Sequence, residues 1–262
     1  MAANAYIKLK RCLGKQDALI ELQEIALREL DWQASQRPDP DDYLQEVCGR
    51  NGIKVDVLDA EGATLDISRL RVLLAIGALE SYMHDLNVES QKLGVGPLFQ
   101  VGVTMDDILQ QFRSKMASSQ SDNLAQLLVR YYLAVRNEAA HPFDSNQHLG
   151  QVRAAADAIR SSDLGELLAK QYGVDNLPDR STELTFEYYI VCSRACKNYA
   201  LALWEKLPHI SDRMLEIVAS GKFARLAQNP SRRRAAWVSY IRTEFRLDAD
   251  DALAIVERVL KL

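Results

Sequence analysis

Apolar residues recur three and four positions apart along almost the whole chain. Strict alternation of apolar and polar residues is confined to Gly52–Leu58, so the pattern is typical of amphipathic helices and not of strands. The sequence therefore predicts an all-α protein. We expect helices at residues 16–35, 39–50, 66–91, 104–116, 122–141, 146–161, 163–171, 182–206, 210–220, 231–245 and 249–261.

The breaks between these helices predict three regions. We expect an N-terminal helical appendage at residues 1–61, a helical bundle at residues 62–206 and a C-terminal helical appendage at residues 207–262. No long flexible linker separates them in the sequence, so the appendages are expected to pack on the core.

The central predicted helix is apolar on two faces. Ser121 and Asp122 are expected to cap its start, and Pro142 is expected to end it. A helix of this kind normally lies inside a bundle or at a subunit interface. Its apolar positions form two stripes about 100° apart, with Leu124, Leu127, Leu128, Tyr131 and Val135 on one and Val129, Tyr132, Leu133 and Ala140 on the other.

Arg136, Asn137 and His141 follow at the C-terminal end of this helix. Because Pro142 disfavours helical backbone at His141, the imidazole is expected at the helix terminus, where the dipole favours a protonated ring. Asn137 lies one turn before His141 and can orient the ring. A guanidinium binds phosphate oxygens and an imidazole exchanges protons near neutral pH, so this set suits cleavage of a phosphodiester.

The stretch R-N-E-A-A-H, from Arg136 to His141, resembles the R-x4-6-H motif of HEPN domains, in which a polar residue often follows the arginine. The helix Leu70–Leu86 contains A-L-E-S-Y and is similar to the other signature helix of that family, which carries an acidic residue. The resemblance covers about residues 65–206. It implies a HEPN-like helical bundle that forms a homodimer through the Arg136–His141 helix.

Active HEPN domains are metal-independent endoribonucleases, so the resemblance implies an RNA substrate and neither cofactor nor metal. The ribose 2′-OH would attack the adjacent phosphate, with His141 as acid or base and Arg136 stabilising the phosphorane charge. Such proteins are typically toxins or antiviral defence effectors, which implies control by an antitoxin or sensor protein. In the subgroup with R-x4-H-x-Y the tyrosine is nucleotidylated by a partner. Phe143 stands at that position here, which puts this form of control in doubt.

Two glutamates are supporting candidates. Glu80 lies on the A-L-E helix, where it can anchor Arg136 or form an i, i+4 surface pair with His84. Glu138 lies within the motif itself. The alternative to a catalytic role for Arg136 and His141 is a structural one, in which basic residues at a helix C-terminus satisfy its terminal carbonyls.

Composition places the chain among ordinary globular proteins, with 48% hydrophobic and 26% charged residues. Four cysteines in a chain of this length are expected to be reduced thiols, and the longest apolar run is too short to span a membrane, so a cytoplasmic location is expected. Cys192 and Cys196 share a helix face, but no further ligands are evident and no metal site is expected. His148 and His209 are interpreted as ordinary surface histidines.

The net charge of −4 conceals a basic segment, because Gly221–Arg246 carries +6 and the remainder −10. Basic and aromatic side chains in such a segment can bind an RNA backbone and stack on bases, although the acidic remainder of the molecule is a rival partner. The RNA-binding candidates are Arg232, Arg233, Arg234, Trp237 and Arg242.

Two functions remain open from the sequence. The first is a metal-independent endoribonuclease, and the second is a catalytically inactive HEPN-like scaffold that joins partner proteins in a defence or regulatory complex. The helix predicted at residues 249–261 has an apolar face that a partner groove could accept. An unrelated α-bundle with a small-molecule pocket ranks behind both, because the chain has no glycine-rich phosphate loop and no H-E-x-x-H motif.

Overall fold

Helices make up nearly all of the regular structure. The computed structural model of the chain describes residues 2–54, 60–92, 97–100, 102–116, 119–141, 145–205, 223–245, 249, 252–253 and 256–257. These residues contain no strand, so the predicted all-α fold is confirmed. The HEPN-like arrangement of the core stays a prediction.

Nine helices lie in the described part of the chain, with short 3-10 turns at Ser181–Glu183 and Ala224–Leu226. None of them is long and apolar enough to cross a lipid bilayer. The helices are α1 (Ala2–Ser35), α2 (Pro40–Arg50), α3 (Ala60–Lys92), α4 (Met105–Met116), α5 (Gln120–Ala140), α6 (Ser145–Arg160), α7 (Gly165–Tyr172), α8 (Phe186–Glu205) and α9 (Pro230–Phe245).

The largest difference from the predicted helices is at α1, which begins at Ala2 and not near residue 16. Ala5, Leu9 and Leu13 are buried at four-residue spacing and extend the apolar stripe towards the N-terminus. Burial of this stripe outweighs the cost of Gly14 inside the helix, which is about 1 kcal/mol. The helix predicted at residues 210–220 lies outside the described residues, and the helix predicted at 249–261 is only partly described.

The chain forms two compact units. The first unit comprises Met1–Cys12, Gly77–Gln126 and Ala195–Leu262, and the second unit comprises Leu13–Ile76 and Leu127–Arg194. The predicted division at residues 61 and 206 stays a prediction.

The first unit has an apolar core with a few buried polar groups that each meet a backbone partner. Tyr82 Oη donates to the Ala200 carbonyl at 3.0 Å, and Gln126 Nε2 donates to the Leu109 carbonyl at 2.9 Å. Asn87 accepts from the Leu98 amide at 2.7 Å. Because unpaired buried polar groups are costly, these bonds fix the neighbouring elements. Its largest fully buried side chains are Leu79, Met83, Leu86, Leu109, Tyr199 and Trp237.

The second unit is built around the greater part of α5, which begins at Leu127 within this unit. Tyr131 and Tyr132 have no exposed surface, whereas Leu127 of the first predicted stripe is half-buried and Ala140 of the second is exposed. The other stripe residues in this unit are buried: Leu128, Val129, Leu133 and Val135. Tyr131 Oη donates to the Pro178 carbonyl at 2.9 Å, and Tyr132 Oη donates to the Tyr188 carbonyl at 2.7 Å. Burial raises the pKa of the Tyr131 phenol, which therefore stays a hydrogen-bond donor.

A charged cluster joins α1 to α3 in the second unit. Arg71 is 2% exposed, and its Nη1 contacts Glu24 Oε2 at 2.8 Å. Glu24 also accepts from Arg28, and both guanidinium groups lie over the Phe186 ring, at 5.6 Å for Arg71 and 5.9 Å for Arg28. Since a charge buried this deeply requires a partner, Glu24 fixes the pairing of the two helices.

Replacing Tyr131 with Phe is expected to lower the free energy of unfolding by about 1–2 kcal/mol, because the buried Pro178 carbonyl loses its donor. Tyr43→Phe is the matched control, since it removes an exposed bond to Gln33 and is expected to cost about 0.5 kcal/mol or less. Urea unfolding measures both. Equal effects of the two substitutions would contradict the role given to the Tyr131 hydroxyl.

Candidate functional site

The predicted motif lies at the end of α5, in the second unit. The helix ends at Ala140, so His141 lies outside it as predicted. The His141 amide still donates to the Asn137 carbonyl at 3.1 Å, which holds the residue against the last turn. At the other end the helix begins at Gln120, and Ser119 Oγ accepts from the Asp122 amide at 3.0 Å. The predicted caps, Ser121 and Asp122, are therefore wrong, because Ser119 makes the capping bond.

Arg136 and Asn137 are half-buried and bonded to each other. Arg136 Nη1 donates to Asn137 Oδ1 at 2.9 Å. Because the amide oxygen of Asn137 accepts from the guanidinium, this bond orients Arg136. The predicted contact of Asn137 with the His141 ring stays a prediction. The buried section of α5 thus ends in a cation held at the edge of the core.

Glu138 has a structural partner. Its Oε2 accepts from the backbone amide of Ser181 at 2.8 Å, and Ser181 is 1% exposed. The bond ties the end of α5 to the 3-10 turn at Ser181–Glu183. The motif glutamate is therefore engaged in satisfying a buried N–H group.

Arg160 fixes the loop that precedes this turn. Its guanidinium donates to Asn176 Oδ1 at 2.7 Å, to the Leu177 carbonyl at 2.5 Å and to Asp179 Oδ1 at 2.6 Å. The bond with Asp179 raises the pKa of the Arg160 guanidinium. The Pro178 carbonyl accepts from Tyr131 and the Ser181 amide donates to Glu138, so this loop positions the end of α5.

The side chain of His148 lies against that of His141 at the end of α5. The two imidazole rings are stacked, with centroids 5.5 Å apart and planes inclined by 25°. His141 is exposed, His148 is half-buried in the first turn of α6, and His148 Nδ1 lies 3.4 Å from Gln151 Oε1. The interpretation of His148 as an ordinary surface histidine is corrected, because its ring stacks on that of His141. His141 and His148 are not on one helix, so helical periodicity gave no signal of their proximity.

Glu80 and His84 lie on α3 in the first unit, where Glu80 is half-buried and His84 is exposed. Their predicted ion pair and the predicted contact of Glu80 with Arg136 stay predictions.

The basic candidates on α9 have different environments. Trp237 has no exposed surface, and its ring packs against Phe223 at 4.7 Å and Tyr240 at 5.8 Å. The prediction that Trp237 stacks on bases is therefore corrected, because no face of the ring is available. Arg232 is exposed, whereas Nε of half-buried Arg233 has no solvent contact.

Arg234 and Arg242 line a cavity of 880 Å³ in the first unit, together with Arg11 of α1. Arg234 forms an ion pair with Glu257. The other lining residues in the described part of the chain are hydroxyl-bearing or apolar: Ser231, Ala235, Val238, Ser239, Thr243 and Leu253.

The cysteines are thiols, and all four lie in the described part of the chain without a disulfide. Cys192 and Cys196 are buried in α8. Within the described residues, no three His, Cys, Asp or Glu side chains are grouped in a way that could hold a metal ion.

Comparison of the chain with protein-family models, curated proteins and solved structures finds no match.

Glu138→Ala is expected to lower the free energy of unfolding by about 1–2 kcal/mol, because the buried Ser181 amide loses its acceptor. Glu183→Ala removes an exposed carboxylate from the same turn and serves as the control, with an expected effect within about 0.5 kcal/mol. Thermal and urea unfolding report both values. If Glu138→Ala is as stable as the control, Glu138 is available for chemistry.

Proposed function

We propose that the protein is a metal-independent endoribonuclease of HEPN type, acting on RNA as a homodimer. The observation that carries the proposal is the end of α5, where half-buried Arg136 is followed by exposed His141, stacked on His148. A cation and two imidazoles on neighbouring residues of one helix end and the next helix start are the kinds of group that phosphodiester cleavage requires.

Arg136 supplies the charge in this proposal. Its bond to Asn137 fixes the guanidinium before substrate binds, so less side-chain entropy is lost on contact with phosphate. Partial burial strengthens the interaction with the negative charge that develops on the phosphorane. Arg136 and His141 are five residues apart, which is about 7.5 Å along the helix axis, a span that a phosphate between the side chains can bridge.

The two histidines supply the proton transfers. One imidazole accepts the proton of the ribose 2′-OH as its oxygen attacks phosphorus, and the other gives a proton to the departing 5′-oxygen. The P–O5′ bond breaks as the P–O2′ bond forms, leaving a 2′,3′-cyclic phosphate and a 5′-hydroxyl. Each turnover leaves the base ring protonated and the acid ring deprotonated, and proton exchange of both rings with solvent restores the starting state. No cofactor or metal enters the balance.

His141→Ala and His148→Ala are each expected to slow cleavage by about a hundredfold or more, because each removes one proton-transfer group. His84→Ala is the matched control, since it removes an exposed histidine of the first unit. Purified proteins are incubated with total RNA in excess chelator, and the ends are analysed for 2′,3′-cyclic phosphate. Circular dichroism and urea unfolding establish that each variant is folded.

Three outcomes separate the parts of this proposal. Loss of cutting in both folded variants supports it. Loss of cutting in His141→Ala alone would support a ribonuclease in which His148 takes no part in proton transfer. An inert native protein, or equal cutting by every variant, would overturn it.

A protein-binding scaffold is the second candidate, and the exposed apolar residues of the second unit favour it. Four of these residues lie on α1 within an arc of about 140°. Leu70 and Leu74 of α3 are also exposed, at 57% and 52%. Large apolar surface open to water marks sites of protein association. The residues on α1 are Leu19, Leu22, Ile25 and Trp32, which are 60–68% exposed.

The scaffold predicts that the double substitution Leu22→Glu with Ile25→Glu lowers the mass of the assembly seen by light scattering, because two charges replace apolar contact area. Gln23→Glu, on the same exposed stretch of α1, is the control and is expected to leave the mass unchanged. A native chain that is monomeric at every concentration would count against self-association through α1.

A further inference from the structure

The cavity beside α9 has the lining of an anion site. Three guanidinium groups, from Arg11, Arg234 and Arg242, meet the hydroxyl-bearing residues Ser231, Ser239 and Thr243 around it. Arginine forks match pairs of phosphate oxygens, and hydroxyl groups donate to the same atoms. Its volume of 880 Å³ lies within the usual range for ligand sites.

We infer that this cavity, lined by Arg11, Arg234 and Arg242, binds the phosphate backbone of a single-stranded nucleic acid. The inference concerns binding in the first unit and is independent of the proposed cleavage. Of the four arginines on α9 that the sequence predicts to bind RNA, Arg234 and Arg242 line the cavity, whereas Arg232 and Arg233 do not.

The length of the site favours a strand over a single phosphate. Lining residues run from Ser231 to Thr243, which is about 18 Å along a helix, and Arg234 and Arg242 are about 12 Å apart along the axis. Cations at that separation can contact two phosphates of one strand that are about two nucleotides apart. None of the described lining residues is aromatic, so binding through them is expected to depend on the phosphate backbone and not on the base sequence.

Glu257 acts as an internal competitor for the ligand. Its carboxylate pairs with Arg234, and both side chains are about half exposed, at 43% and 47%. An incoming phosphate must share or replace that contact, so Glu257 lowers the affinity of the site. Removal of this carboxylate should therefore strengthen binding, an effect that loss of structural support would not produce.

The test uses fluorescence anisotropy of a labelled oligodeoxynucleotide about 12 nucleotides long, within the site sizes of single-strand binders. This strand lacks the 2′-OH and cannot be cut by the proposed reaction, so binding is measured whether or not the protein is a ribonuclease. Arg234→Gln and Arg242→Gln are each expected to weaken binding about tenfold and to reduce the salt slope by about 0.7.

Glu257→Gln is expected to tighten binding up to about fivefold, the upper end for an exposed ion pair. Arg225→Gln is the charge-matched control, because Arg225 is exposed in the same basic segment and does not line the cavity. It should leave affinity within about twofold of the native protein, as expected for a charge that is screened by salt.

Competition identifies the ligand class. The inference predicts that ATP, inorganic phosphate and a polyglutamate peptide compete much more weakly than an unlabelled strand. Equal competition by ATP would show that the cavity binds a mononucleotide and would overturn the inference that it binds a strand. Equal competition by polyglutamate, native affinity in both cavity variants, or an equal loss in Arg225→Gln would each overturn the site.

Discussion

The burial of α5 on both of its apolar faces is the constraint on which the second unit depends. A helix covered in this way can carry polar groups only where their partners are fixed in advance. Tyr131 and Tyr132 place hydroxyls inside the unit, and these reach carbonyls of Pro178 and Tyr188. The loop before the 3-10 turn and the start of α8 are therefore positioned by two side chains of one helical turn.

The same constraint separates structural from available polar residues at the end of α5. Glu138 satisfies the buried Ser181 amide, and Asn137 satisfies Arg136, so both are engaged within the unit. His141 follows the last helical residue and is exposed. Inward bonds of Asn137 and Glu138 thus hold the helix end, whereas the His141 imidazole lies at the surface.

The sequence predicted the parts of the fold that depend on local periodicity. Helix α5 and its two stripes follow from spacing alone, as does its end before Pro142. The start of α1 was missed, since its packing against other elements extends the helix through Gly14. His148 was missed for a related reason: the relative placement of α5 and α6 determines its distance from His141, and helical periodicity does not extend from one helix to the next. Tertiary geometry decides both.

The arginines of α9 show why a charge pattern identifies a segment more readily than a site. Arg232, Arg233 and Arg234 are consecutive, so successive side chains point about 100° apart around the helix and cannot share one surface. Only Arg234 of the three lines the cavity, where it is joined by Arg242, two turns along, and by Arg11 from the opposite end of the sequence. The net charge of a segment depends only on its composition. A phosphate site requires several cationic side chains to lie around the same cavity. The basic segment contributes two of them, and folding brings the third.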